Sequence, residues 1–180
     1  MNLAPPTALL TLAASLAGCA VSAGNADGVL TLQTMPAELA PPSGSEELLR
    51  ARAEGVQIYA CEAAEGGAPT WTLVAPDAVL ETADGFFASH GAGPSWTARD
   101  GSRVLGERLA GVPSLDGDGI DWLLVKAVPD GAGTFESTRF IQRLDTRGGR
   151  APDDGCSEDT LGDETRSPYS ATYVFFESES

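Results

Sequence analysis

The sequence predicts an all-β fold, a single-domain antiparallel β-sandwich or partly closed β-barrel, and three observations carry that expectation. Short segments rich in β-branched and aromatic residues follow one another along the chain. Gly-, Pro- and Asp-rich breaks separate them, in a chain with 21 Gly and 12 Pro among 180 residues. No internal repeat is visible, and no long amphipathic helical pattern alternates with the strand-like segments.

Residues 1–18 read as a lipoprotein signal peptide, 19–34 as a lipidated cysteine with a flexible tether, and 35–180 as the single β domain. The apolar run "ALLTLAASLA" (8–17) is too short to span a bilayer and suits a signal-peptide core. It ends in "LAGC", which resembles the lipobox of bacterial lipoproteins, with Cys19 as the lipidated residue. No Lys or Arg precedes the run, which keeps an ordinary cleaved secretion signal as the alternative. The expected location is the cell envelope, lipid-anchored. Ala20 is not the aspartate associated with inner-membrane retention, which leaves an outer-membrane destination open. Without an anchor the protein is expected to be periplasmic or secreted.

Within the domain, "SEELLRARAEG" carries two signals. Ser43 and Glu46 have capping-box spacing, yet Leu49, Ala51 and Ala53 alternate with charged residues, and this alternation predicts a strand over 47–53. "VQIYAC" follows, then segments at 70–75, 95–99, 102–110, 121–128, 138–146 and 170–177. Asp100-Gly101 between two alternating segments predicts a hairpin with a type I′ turn.

Charge and cysteines narrow the function. Eleven Lys+Arg against 26 Asp+Glu give a net charge of −15, which repels phosphate backbones, so no nucleic-acid partner is expected. "DGDGIDW" (116–122) lacks the ligand spacing and closing Glu of an EF-hand and reads as a loop. Three cysteines leave one over; assigning Cys19 to lipid leaves Cys61 and Cys156 as a disulfide pair in an oxidising compartment. Two unpaired buried thiols are the alternative. A lone histidine cannot complete a zinc site with two distant cysteines, and no cofactor is implied.

The motifs "GVQIYAC", "WTLVAPDA", "HGAGPSWTARDGSRV", "WLLVKA", "FIQRLDTRGGRAP…GC" and "PYSATYVFF" occur in the order seen in the domain of unknown function 3455 family. The chain resembles that family from about Met35 to Phe176. The resemblance implies a small exported protein and supplies no catalytic residues. Both Cys61 and Cys156 sit in motifs that the family shares, which strengthens the expected pairing.

His90 is the only histidine and the only imidazole base; Asp77, Asp84 or Asp100 could orient it in a hydrolase-like enzyme. No Gly-x-Ser-x-Gly elbow accompanies it, so this is the alternative reading. The favoured one is a non-catalytic domain binding a partner, a small molecule or a glycan. Trp96, Trp122, Tyr59 and Tyr169 are the aromatic candidates for a ligand cleft, with His90 and Asp100 beside them. Lys126 is the only lysine; if Trp122 faces inward, Leu124 and Lys126 share that face. Arg147 and Arg150 flank Gly148-Gly149, which reads as a solvated turn rather than a phosphate loop.

Overall fold

The computed structural model describes Met1 and residues 35–115 and 117–178. The leader, Cys19 and the tether predicted for residues 20–34 lie outside the described residues.

Eight strands follow in sequence: β1 Ser45–Glu62, β2 Thr70–Thr82, β3 Gly85–Gly91, β4 Ser95–Ala98, β5 Arg103–Val112, β6 Trp122–Asp130, β7 Phe140–Gly148 and β8 Glu164–Ser178. Each pairs antiparallel with the next, and β8 pairs back with β1, so the meander closes into a barrel. Of the two architectures expected, the barrel is the one formed, with the eight strands hydrogen-bonded around a closed ring. The alternation at 47–53 and "VQIYAC" belong to one strand, β1. β3 is an element that the sequence reading did not separate from the turn before Ser95.

Inward positions fill the barrel by matching small residues to large ones. On β1, Ala51 stands opposite Tyr173 and Gly55 opposite Tyr169 of β8. A Cβ on Gly55 would lie 2.2 Å from the Asp77 carbonyl oxygen, so only glycine allows β2 this close. Gly106 of β5 plays the same part for Trp96: a Cβ there would come within 2.8 Å of the indole. Outward positions of β1 carry Arg50, Arg52 and Glu54, all exposed. This apolar-in, charged-out pattern is the reverse of a lipid-facing barrel wall.

The strand directions give the barrel two unlike ends. At one, Phe135 from the β6–β7 loop stacks on Phe175 at 5.1 Å and meets the edge of Phe87 at 5.4 Å. These rings plug that end. The β4–β5 turn locks the plug from outside. Asp100 Oδ1 accepts from the amide and hydroxyl of Ser102 at 2.9 and 2.6 Å, and Oδ2 accepts from the amide and hydroxyl of Thr134 at 2.8 and 2.7 Å. The Ser102 hydroxyl, then the Thr134 donors, hold the Asp100 carboxyl far below the usual carboxylate range. The hairpin predicted at Asp100-Gly101 is present, but its turn is not type I′. Gly101 has φ 86° while Asp100 is not among the positive-φ residues, and the Ala98 carbonyl accepts from Gly101. The loop therefore has three residues, with glycine in the left-handed position, and this conformation turns the carboxylate toward Ser102 and Thr134.

A second apolar cluster lies outside the barrel wall. A 3-10 turn, Ala37–Leu39, lays fully buried Leu39 across Trp122, Leu124, Leu144, Val174 and Phe176. Gln142 Nε2 donates to the Leu39 carbonyl at 2.6 Å and ties the turn to β7. At the other end of the barrel, Cys61 and Cys156 form a disulfide across 95 residues, joining β1 to the β7–β8 connection. This is the expected pairing. Closing a loop of that length stabilises by about 4–5 kcal/mol in the chain-entropy description.

Candidate ligand cavity

Toward the end opposite the phenylalanine plug, the barrel interior opens into a cavity of about 390 Å³. An eight-stranded barrel is just wide enough either to fill with side chains or to hold one small ligand. Here the difference comes from which residues occupy the inward rows. Leu73, Val74, Pro76 and Pro94 line the cavity toward its mouth, and Leu73 and Val74 are exposed there. Leu123 and Val125 form part of the apolar wall. Gln57, His90, Trp96, Arg143 and Tyr173 supply the polar groups.

Antiparallel register explains how residues far apart in sequence meet. His90 of β3 stands opposite Trp96 of β4 and, on its other side, opposite Ala78 of β2. Arg143 of β7 stands between Leu123 of β6 and Tyr173 of β8. The His90 and Trp96 rings stack at 4.4 Å, and the edge of Tyr173 approaches both, at 5.3 and 5.7 Å. His90 is 4 % exposed, and its Nδ1 lies 2.9 Å from the Ser95 carbonyl oxygen.

Burial, opposed by the bond to Ser95 and aided by the positive charge of Arg143, lowers the His90 pKa to about 4. The ring is therefore neutral at pH 7. A neutral ring facing a carbonyl carries its proton on Nδ1 and leaves Nε2 as an acceptor. Burial likewise raises the pKa of Tyr173, and that of Tyr169 beside it. The two phenols are close enough to influence each other's ionisation, yet neither hydroxyl has a hydrogen-bond partner of good geometry.

Three cavity-lining residues carry unpartnered polar atoms: Gln57 Nε2, Trp96 Nε1 and Tyr173 Oη, each on a side chain almost wholly buried. Such groups normally find partners, because an unsatisfied buried donor costs about 1–3 kcal/mol. A second concavity of about 320 Å³ adjoins the first and shares Arg108 and Arg143 with it. It adds Tyr59, Ile120, Asp121 and Arg150. Tyr59 donates its hydroxyl to the Gly149 carbonyl at 2.6 Å, and Arg150 Nε donates to Gly119.

The predicted site residues thus divide. His90 and Trp96 meet in the cavity, Tyr169 lies behind Tyr173, and Tyr59 borders the adjoining concavity. Three others do not join them. Asp100 belongs to the plugged end, a strand's length from His90. Trp122 is buried under Leu39 on the outer face, so the alternation from Trp122 through Leu124 to Lys126 runs along the outside, and Lys126 is exposed to solvent. A cleft joining Trp96 and Trp122 is not formed. The acids expected to orient His90 do not reach it either: Asp77 is exposed and pairs with Arg166, and Asp84 sits in the β2–β3 turn. Gln57, Arg143 and Tyr173 escaped sequence reasoning. The available signal was a polar side chain in an inward row: Gln57 interrupts the run Ala51, Ala53, Gly55.

A family model described as "Protein of unknown function (DUF3455)" matches residues 81–177, just over half of the chain. The matched stretch contains His90, Trp96, Arg143 and Tyr173 and leaves out Gln57 and Cys61. No curated protein and no solved structure matches the chain. With β3 to β7 and nearly all of β8 inside the matched residues, the chain belongs to the domain of unknown function 3455 family.

Proposed function

We propose that this protein is an exported, lipid-anchored barrel of the cell envelope that binds a small organic molecule without reacting with it. The observation that carries the reading is the set of unpartnered polar atoms on Gln57, Trp96 and Tyr173 around one cavity. Its volume, about 390 Å³, falls in the range of small-molecule sites. A mostly apolar concavity with a few convergent polar groups is how such sites fix and orient a ligand. The Cys61–Cys156 disulfide supports export, since such bridges persist in oxidising compartments. The "LAGC" leader supports anchoring through Cys19.

A hydrolase built on His90 has less support. The ring's Nδ1 is engaged by a main-chain carbonyl, and its neighbours are Trp96 and Tyr173 rather than a carboxylate. The test of the binding reading is titration with a neutral apolar fluorophore, N-phenyl-1-naphthylamine. Saturable enhancement at one site is expected, abolished by Ala75→Trp, which fills the mouth from a partly exposed position. Enhancement that persists in that variant would place the dye elsewhere and overturn the reading.

A further inference from the structure

We propose that the ligand of this cavity is a small organic acid, an apolar body whose carboxylate is held by Arg143 and the Tyr173 hydroxyl. The inference rests on the binding reading and deepens it by naming the ligand's chemical class.

The sign of the local charge is the first support. The chain carries 26 Asp+Glu and a net charge of −15, yet among the described residues no carboxylate lines this cavity, whereas Arg108 and Arg143 both do. Arg143 is oriented by a neutral acceptor. Its Nε and Nη2 donate to the main-chain oxygen of Asp121 at 3.1 and 2.9 Å, a contact that fixes the guanidinium without cancelling its charge. Arg108 meets the Asp121 carboxylate at 3.3 Å, but that pair is half exposed and screened by solvent. The pocket is a positive spot in an acidic protein, and it attracts an anion.

The donors are the second support. Trp96 Nε1 and Gln57 Nε2 can only donate, and the Tyr173 hydroxyl is free to donate. A carboxylate has about four acceptor sites with which to meet such donors, in charge-assisted bonds stronger than neutral ones. A cation would face two guanidinium groups, and a neutral alcohol would satisfy fewer donors. Wall composition is the third support. Leu123, Val125 and the stacked His90–Trp96 pair suit an apolar body, which an inorganic anion lacks.

Three matched probes test the class by titration calorimetry on the full-length protein at pH 7: 4-phenylbutanoate, 4-phenylbutan-1-ol and 4-phenylbutylamine. The acid is expected to bind at one site at least about tenfold more tightly than the alcohol, and the amine most weakly. Arg143→Met should weaken the acid by far more than the alcohol and bring the two affinities together. Because Arg143 also holds Asp121, Tyr173→Phe is the companion variant. It removes a hydroxyl that has no hydrogen-bond partner of good geometry, so it keeps the fold, and it should weaken the acid more than the alcohol. Equal affinity for acid and alcohol, or preference for the amine, overturns the organic-acid assignment and leaves the binding reading standing. So does failure of all three probes while the naphthylamine dye still binds. Failure of the probes and the dye together overturns both.

Discussion

His90 and Trp96 face each other across β3 and β4 with ring centroids 4.4 Å apart and planes 6° from parallel. The stack keeps the imidazole out of water, and its pKa falls from 6.5 to about 4. The unfolded chain takes up this proton below pH 6.5, whereas the folded protein does so only near pH 4. Between those values the unfolded state binds more protons, so stability rises with pH there. The contribution is complete above pH 6.5 and is lost as pH falls toward 4, amounting to about 3 kcal/mol. His90→Phe keeps a stacked ring and removes the titration. Urea unfolding at pH 7 and pH 4.5 should show a smaller acid-induced loss in His90→Phe than in the parent. Equal losses would mean that His90 is solvated.

Gly106 supplies the room that this stack needs. A methyl group at that position would sit 2.8 Å from both the Trp96 ring and Val125 Cγ1, contacts that neither side chain can absorb without moving. Trp96 is 1 % exposed, stacked on His90 and met by the edge of Tyr173, so the indole can retreat only toward the cavity it lines. Gly106→Ala is therefore expected to destabilise the barrel by about 1–3 kcal/mol, the usual cost of overpacking. It should also weaken dye binding, because a displaced indole narrows the cavity. Unchanged melting and unchanged binding would show that Trp96 has room to spare.

Much of this architecture was legible in the sequence, and the failures have physical causes. Alternation in "LLRARAE" and the Asp-Gly break were sufficient to find β1 and the β4–β5 hairpin. β3 was hidden because Phe86 and Phe87 are adjacent, and the register with β2 shifts between Leu80 and Glu81. A shift of that kind breaks the two-residue period on which strand reading depends. The alternation of Trp122, Leu124 and Lys126 was read correctly as one face, but not as the outer one. Burial by the Ala37–Leu39 turn makes both faces of β6 apolar there, and no pattern in β6 alone distinguishes them. The candidate site was half legible for a related reason. His90 and Trp96 are rare residue types that draw notice, while Arg143 looks like any surface arginine until the register sets it opposite Tyr173.

Cys61–Cys156 lies at the cavity end of the barrel, where connections are long and the plug of phenylalanines is absent. Gly162 donates to the Cys61 carbonyl, and Trp71 Nε1 donates to Asp154 near Cys156, so the bridge organises the β7–β8 connection. Removing it frees 95 residues of unfolded chain. Cys61→Ser/Cys156→Ser should lose about 4–5 kcal/mol and melt roughly 10 °C or more below the parent. Calorimetry of the two proteins, with the parent under non-reducing conditions, measures the difference. A drop of only a degree or two would mean that the unfolded chain is already constrained without the bridge.

The anchor proposal makes the sharpest cellular prediction. At −15 the protein is repelled by anionic headgroups, so electrostatic adsorption does not substitute for lipid. Arg50, Arg52 and Glu54 occupy the outer face of β1, which is not a surface that inserts into hydrocarbon. A diacylglycerol on Cys19 would by contrast supply two acyl chains, the number needed for stable rather than marginal attachment. Cys19→Ser is therefore expected to move the protein from the membrane pellet to the soluble fraction on cell fractionation. Its melting temperature should be unchanged, since none of the eight strands includes the residue. Retention of Cys19→Ser in salt-washed membranes would sink the lipid anchor and require a protein partner on the barrel surface instead.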